Sequence, residues 1–268
     1  MIPRSTISDD ARKIIQEQIK EFATEHNIRI LLAIESGSRA WGFPSQDSDY
    51  DVRFIYAQTM DDYLSIKPER DVIEPKITHN ALLGVPFDLS GWDIRKALRL
   101  ALKSNPVLFE WLQSPICYAI NQEVTQKIMH FAASVVDLKR VHYHYYQLAV
   151  SAWLQIEEDP QQVVLKRYFY ALRPALAVQW VTTKSQIPPM DLSSLVRDTV
   201  KDKALENAIL ELVTLKSTAQ EKAKIPHDSL IDSFIKHVLS EHRIEQRPPV
   251  ATSEYHDADL LFRRIIQR

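Results

Sequence analysis

One cysteine, four glycines, no long apolar run and almost no net charge set the first limits on this 268-residue chain. Cys117 has no partner within the chain, which excludes an intrachain disulfide framework and a cysteine-based zinc cluster. No stretch reaches the roughly 18 consecutive apolar residues that a spanning helix needs, so no membrane partner is expected. Met1 to Asp10 lacks a basic region followed by an apolar core, so no secretory leader is expected, and a reduced, cytoplasmic setting fits. A formal net charge of -2 argues against a uniformly basic nucleic-acid binder; any such surface must be local. With 45% hydrophobic residues, the chain has enough apolar material for one large domain or two ordinary ones.

The shortage of glycine is also uneven. About 7% is usual, yet Gly37, Gly42, Gly84 and Gly91 are the whole complement, and none follows Gly91. Glycine supplies backbone conformations that other residues resist, so its absence over the remaining chain favours long helices. The composition therefore predicts an α+β protein. A small mixed-sheet domain is expected over residues 1–115 and an all-helical domain over residues 116–268.

Periodicity agrees. Ser8 caps a helix predicted over Asp9 to His26, with Ala11, Ile14, Ile15, Ile19 and Phe22 on its apolar face. Ile28 to Ile34, Tyr50 to Ala57, Asp71 to Thr78 and Pro86 to Gly91 have strand character, the third near an edge because of Pro75. Asn105-Pro106 pairs a capping residue with a first-turn proline. Later helices are predicted over Asp93 to Lys103, Glu123 to Phe131, Asp137 to Glu157, Val163 to Thr183 with a kink at Pro174, Leu192 to Val200, Lys203 to Lys224, Ser229 to Ser240 and Asp257 to Gln267. Gln246 to Thr252, with two adjacent prolines, has the composition of a linker.

The chemistry concentrates between residues 34 and 56. A buried-type strand ends in Gly37-Ser38, where a glycine lets the backbone approach a ligand and a helix start offers free N–H groups to phosphate. Asp49 and Asp51 flank Tyr50 at the entry to the next strand, and residues two apart face the same side. Two carboxylates aimed at one spot repel unless a cation lies between them, and oxygen donors suit Mg²⁺. Asp88 stands between Phe87 and Leu89 on a later strand, where a carboxylate needs a partner.

Gly37-Ser38, then Asp49-x-Asp51, then Asp88 resembles the signature of the DNA polymerase β-type nucleotidyltransferase superfamily. The stretch Glu35-Ser36-Gly37-Ser38-Arg39-Ala40-Trp41-Gly42-Phe43, with Asp47-Ser48-Asp49-Tyr50-Asp51-Val52-Arg53-Phe54, is similar to the RNA repair pathway DNA polymerase β family, predicted nucleotidyltransferases associated with RNA ligases. The likeness continues through Ser90-Gly91-Trp92-Asp93, Lys103-Ser104-Asn105-Pro106 and Glu110-Trp111-Leu112 to Tyr168-Phe169-Tyr170 and Leu172-Arg173-Pro174. It implies transfer of a nucleoside monophosphate from an NTP to a hydroxyl, with release of pyrophosphate. Asp49 and Asp51 would bridge two Mg²⁺ ions, with Mn²⁺ an alternative, and Asp88 would ligate one and help activate the hydroxyl. Gly37 and Ser38 would hold the terminal phosphates, with Arg39 adding charge. It implies ATP or another NTP as substrate, and RNA or an RNA ligase as partner.

Lys166, Tyr170 and Arg173 recur at i, i+4 and i+7 and so share a helix face. Lys166 is read as a triphosphate contact, with Tyr170 or Arg173 nearer the base or ribose; an ordinary solvated face has equal standing. Arg95, Lys96, Arg99 and Lys103 form a basic stripe that a solvated face explains more simply than a phosphate track. His142 and His144, at i and i+2 of a helix, face different ways and suit packing better than a shared metal. The acceptor stays open among an RNA end, a protein side chain and a small molecule, and a non-catalytic nucleotide-binding regulator is the remaining alternative. Nothing in the pattern assigns a role to residues after about 185.

Overall fold

A computed structural model describes residues 7–67, 70–74, 82–220, 223–249 and 255–267. The elements run α1 (Asp9–Glu25), β1 (Arg29–Glu35), α2 (Gly37–Trp41), β2 (Tyr50–Ala57), α3 (Met60–Tyr63), β3 (Val72–Ile73), β4 (Phe87–Asp93), α4 (Ile94–Leu102), α5 (Pro106–Leu112), β5 (Cys117–Ile120), α6 (Gln122–Val135) and α7 (Leu138–Glu157). They continue with β6 (Gln162–Val164), α8 (Leu165–Lys184), α9 (Leu192–Thr199), α10 (Lys203–Thr218), β7 (Lys224–Pro226), α11 (Ser229–Glu241) and α12 (Tyr255–Ile266). The class is α+β, as expected. Two compact units divide the chain. One takes Ala40–Ser48 and Asp137–Pro249; the other takes Thr6–Arg39, Asp49–Val136 and Val250–Arg268.

The second of these units carries a five-stranded mixed sheet in the order β3-β4-β2-β1-β5. β2 and β4 run parallel, while β1 is antiparallel to both β2 and β5. The parallel pairing sets Asp51 opposite Asp88 and Phe54 opposite Gly91. Gly91 is required there, because a side chain on it would collide with the Phe54 ring. Ile15, Ile19 and Phe22 of α1 cluster with Val52, Phe54, Tyr56, Phe87 and Leu89 on one face of the sheet. By strand alternation, Asp51 and Arg53 face away from α1. α4, α5 and α6 pack against β1, β2 and β4, and α12 packs against α4 and α6. Arg29 donates to the Ile265 carbonyl at 2.6 Å, tying the end of α12 to the first strand.

Among its described residues, the other unit is helical apart from the β6–β7 ribbon. α7 and α8 pair over their length, and α9 and α11 pack on α8. Asp137, Asp191, Asp202 and Asp228 each cap a helix by accepting from a backbone N–H in its first turn. α8 runs through Pro174, which is buried in its middle. Phe43 stacks on Phe169 with ring centroids 4.3 Å apart, and the Arg173 guanidinium lies 4.6 Å over the Trp41 ring.

Three expectations change. The strand expected over Asp71 to Thr78 is described only as Val72–Ile73; residues 75–81 lie outside the described residues. The helix expected to reach Lys224 stops at Thr218, and Lys224 begins β7 instead, paired with Val164. Val163 and Val164, expected to open a helix, belong to β6, because two β-branched residues suit a ribbon better than a first turn.

Candidate active site

β1 ends at Glu35, and the chain turns through Gly37 into the single helical turn of α2. Gly37 has a φ of 59°, a left-handed conformation that side chains resist. A side chain there would also overlap the Asp51 carboxylate. Ser36 N–H donates to the Asp51 carbonyl at 2.8 Å, which closes the turn against the start of β2. The sequence marks this glycine as a place where backbone can approach a ligand; the structure adds that the turn and the Asp51 carboxylate occupy one small volume.

Asp51 and Asp88 lie side by side on adjacent parallel strands. Between them is the guanidinium of Arg53. Its Nη2 is 2.6 Å from Asp88 Oδ2 and 3.4 Å from Asp51 Oδ1, while its Nη1 donates to the carbonyls of Val52 and Asp88 at 3.0 and 3.2 Å. The partner that a carboxylate at position 88 requires is thus supplied by this chain. Asp49 directly precedes β2 and offers its carbonyl to Arg39 Nε at 3.1 Å. The Arg39 guanidinium sits 4.1 Å over the Tyr50 ring. Ser38 lies on the second residue of α2.

Glu35 and Tyr118 complete the surroundings. The Glu35 carboxyl is fully buried and accepts from the Asp51 N–H at 2.9 Å and the Tyr118 hydroxyl at 2.6 Å. Burial raises its pKa to about 7, against the opposing pull of those two donors. Glu35 therefore fixes the backbone of Asp51 from behind. Neither Glu35 nor Arg53 is among the expected site residues. For Arg53 the signal was present: it continues the alternation of Asp49 and Asp51 along one side of the strand.

The donor chemistry suits a hard divalent ion, since two carboxylate oxygens already converge on one cationic group. Gly37 leaves Asp51 Oδ2 a cradle that a β-carbon would fill. Asp51 and Asp88 are brought together. Among the described residues, no three His, Cys, Asp or Glu side chains form a group set to hold an ion, so Asp49 is not gathered with them.

Lys166, Tyr170 and Arg173 fall on α8, in the helical unit. Lys166 Nζ lies 5.9 Å over the Tyr170 ring, and Tyr170, 43% exposed, meets Trp41 edge-on at 5.8 Å. Arg173 is buried, and its Nε donates to the Met190 carbonyl at 3.0 Å. One face does hold all three, but Arg173 is committed to the interior. Lys216, which sequence analysis did not single out, is fully buried on α10 and donates to Ser45 Oγ at 2.8 Å. In the basic stripe, Arg95 pairs with Asp93, while Lys96 and Arg99 pair with Asp71. His142 meets His242 at 6.3 Å, and burial lowers its pKa. Burial likewise raises that of the Cys117 thiol, away from reactivity.

A model described as the RNA repair pathway DNA polymerase beta family matches residues 11–264. Uncharacterized protein YcgL of Bacillus subtilis (strain 168) is 41% identical over 225 residues, which is 83% of this chain and 83% of that protein. A solved nucleotidyltransferase-like protein from Exiguobacterium sibiricum 255-15 superposes with a TM-score of 0.34 at 9% identity, over 94% of this chain and 80% of the other. Among the described residues, no helix is long and apolar enough to cross a membrane.

Proposed function

The chain belongs to the RNA repair pathway DNA polymerase β family of nucleotidyltransferases, and from that premise we propose that it moves a nucleoside monophosphate from an NTP, with ATP as the first candidate, to a hydroxyl at an RNA end. The bond from the acceptor oxygen to the α-phosphorus forms, the bond from that phosphorus to the β-bridging oxygen breaks, and pyrophosphate leaves. The observation that carries the reading is the register pairing of Asp51 with Asp88 beside the Gly37 turn.

Each residue has a derivable task. Gly37 and Ser38 present backbone N–H groups at a helix start, where phosphate oxygens are favoured. Arg39 adds positive charge at that turn. Asp88, with its side chain half exposed, is the group open to receive the acceptor's proton. Asp51, its backbone fixed by Glu35, holds the position opposite. Asp51 and Asp88 would hold Mg²⁺ or Mn²⁺, which supplies charge neutralisation at the transferring phosphoryl group, and Asp49, two residues before Asp51 along the chain, is proposed as a further ligand that the present arrangement does not yet gather with them. On α8, Lys166 is the triphosphate contact and Tyr170 a stacking surface for base or ribose, with Arg173 supporting that face through Trp41. A single cysteine without a disulfide partner, Cys117, accords with a cytoplasmic setting.

One observation favours a second acceptor class. Arg95, Lys96 and Arg99 are occupied by Asp71 and Asp93, which leaves less basic surface for a nucleic-acid backbone and favours a protein or small-molecule hydroxyl. Transfer of label from each α-labelled NTP, with Mg²⁺ or Mn²⁺, to a small-RNA pool tests both, alongside protein alone and the Asp49→Ala variant. Label on RNA that is lost in the variant supports the RNA-end reading. Label on protein moves the assignment to protein modification. No label and no NTP binding would overturn the catalytic reading in favour of a regulatory fold.

A further inference from the structure

Arg53 lies where the two paired carboxylates converge, and its contacts divide by nitrogen. Nη1 is spent on backbone, donating to the carbonyls of Val52 and Asp88. Nη2 is spent on the carboxylates of Asp88 and Asp51. The side chain is 20% exposed, so the guanidinium is held between β2 and β4 rather than extended into solvent.

We propose that Arg53 is the internal cation of this site: its Nη2 occupies the ground between Asp51 and Asp88 that a divalent ion would share, and so sets the affinity for that ion. This rests on the reading of Asp51 and Asp88 as metal ligands. Binding of an ion is then an exchange, in which the carboxylates give up Nη2 while Nη1 keeps its two carbonyls. Where the guanidinium stays close by, its charge opposes the ion directly. Both routes lower affinity for a free ion. An ion carried in by a triphosphate brings its own negative charge and offsets that opposition. Arg53 therefore makes the site weak for free metal and selective for the metal–nucleotide pair. A lysine, a single point charge, cannot span two carbonyls and two carboxylates at once.

The experiment is a Mn²⁺ titration of the full chain, read by the electron paramagnetic resonance signal of free Mn²⁺, without nucleotide. Arg53→Met is expected to bind Mn²⁺ about tenfold or more tightly than wild type, with Arg53→Lys between them, because a nearby like charge has been removed. Asp51→Asn placed in the Arg53→Met background should abolish the gain. Equal or weaker binding by Arg53→Met, still lost with Asp51→Asn, overturns the role of Arg53 alone. Failure of both folded proteins to bind Mn²⁺, or binding indifferent to Asp51→Asn, overturns the carboxylate metal reading beneath it. Because Arg53 also staples two strands, a wild-type measurement guards against misfolding of the variant. The Arg53 side-chain Nε–Hε resonance, assigned by its loss in Arg53→Lys, should shift as Mg²⁺ and NTP are added. A resonance that stays fixed while NTP and Mg²⁺ bind overturns the proposal.

Discussion

The α-carbon of Gly37 lies against the carboxylate of Asp51, so closely that a β-carbon on Gly37 would overlap Oδ2. Gly37→Ala thus meets two obstacles, a positive φ and the Asp51 side chain. The variant should lose about 1–3 kcal/mol of stability. It should lose about 100-fold in turnover, because small displacements at a reacting centre are costly. Urea denaturation and single-turnover transfer measure the two separately. Retention of wild-type turnover would show that the turn and the carboxylate are not functionally joined.

Asp49→Ala and Asp51→Ala should each reduce nucleotidyl transfer by about 10³-fold or more while leaving the circular dichroism spectrum unchanged. Asp51 is only partly buried and its ion pair with Arg53 is long, at 3.4 Å, so the fold has little stake in its carboxylate. Wild-type rates in both variants would remove the carboxylates from the chemistry.

Lys166→Ala should raise KM for the NTP about tenfold, with kcat and the KM of the acceptor little changed. Its ammonium lies over the Tyr170 ring and not in the core, so truncation leaves the packing of α8 in place. Equal losses for NTP and acceptor would count against a triphosphate contact.

His227 gives a pH dependence outside the site. Its Nε2 faces the Asp159 carbonyl at 2.9 Å and its Nδ1 faces Asp232 Oδ2 at 2.9 Å, while Tyr168 donates to the other oxygen of Asp232 at 2.6 Å. The Asp159 carbonyl first, and Asp232 after it, hold the imidazole pKa above 6.5 against partial burial. Protons are therefore bound more tightly in the folded chain. This contribution is complete below the ordinary histidine value and is lost as pH rises through the raised one. The urea midpoint of wild type should fall from about pH 6 to about pH 8.5 relative to His227→Gln, whose profile lacks that step.

Much of this arrangement is legible in the amino-acid sequence. Ser8, Asn105 and the carboxylate strand announce themselves locally, by capping chemistry and by alternation. Gly37 is legible as a glycine at a strand end, where backbone can come close to a ligand, but its positive φ and its contact with the Asp51 carboxylate depend on a partner fourteen residues on. Other parts depend on distant partners. β5 is four residues long, and its pairing with β1 is what makes it a strand. α12 has an ordinary amphipathic pattern that gives no sign of packing on α4 and α6. Lys216 shows nothing in sequence of its burial; the Ser45 hydroxyl that receives it lies 171 residues away. Arg53 was legible in principle, but alternation alone does not tell a bound counterion from a solvated charge.

The division of the chain into interleaved segments bears on how the protein can be taken apart. Residues 40–48 count with the helical unit although Arg39 and Asp49 on either side count with the sheet, and α12 returns to the sheet unit after the helices. No single cut in the polypeptide releases either unit whole. A fragment ending at Val136 would carry every strand of the five-stranded sheet but lack α12, and its partner fragment would lack the Phe43 and Ser45 that Phe169 and Lys216 pack against. Complementation between two separately expressed pieces, rather than independent folding of each, is the behaviour this connectivity dictates.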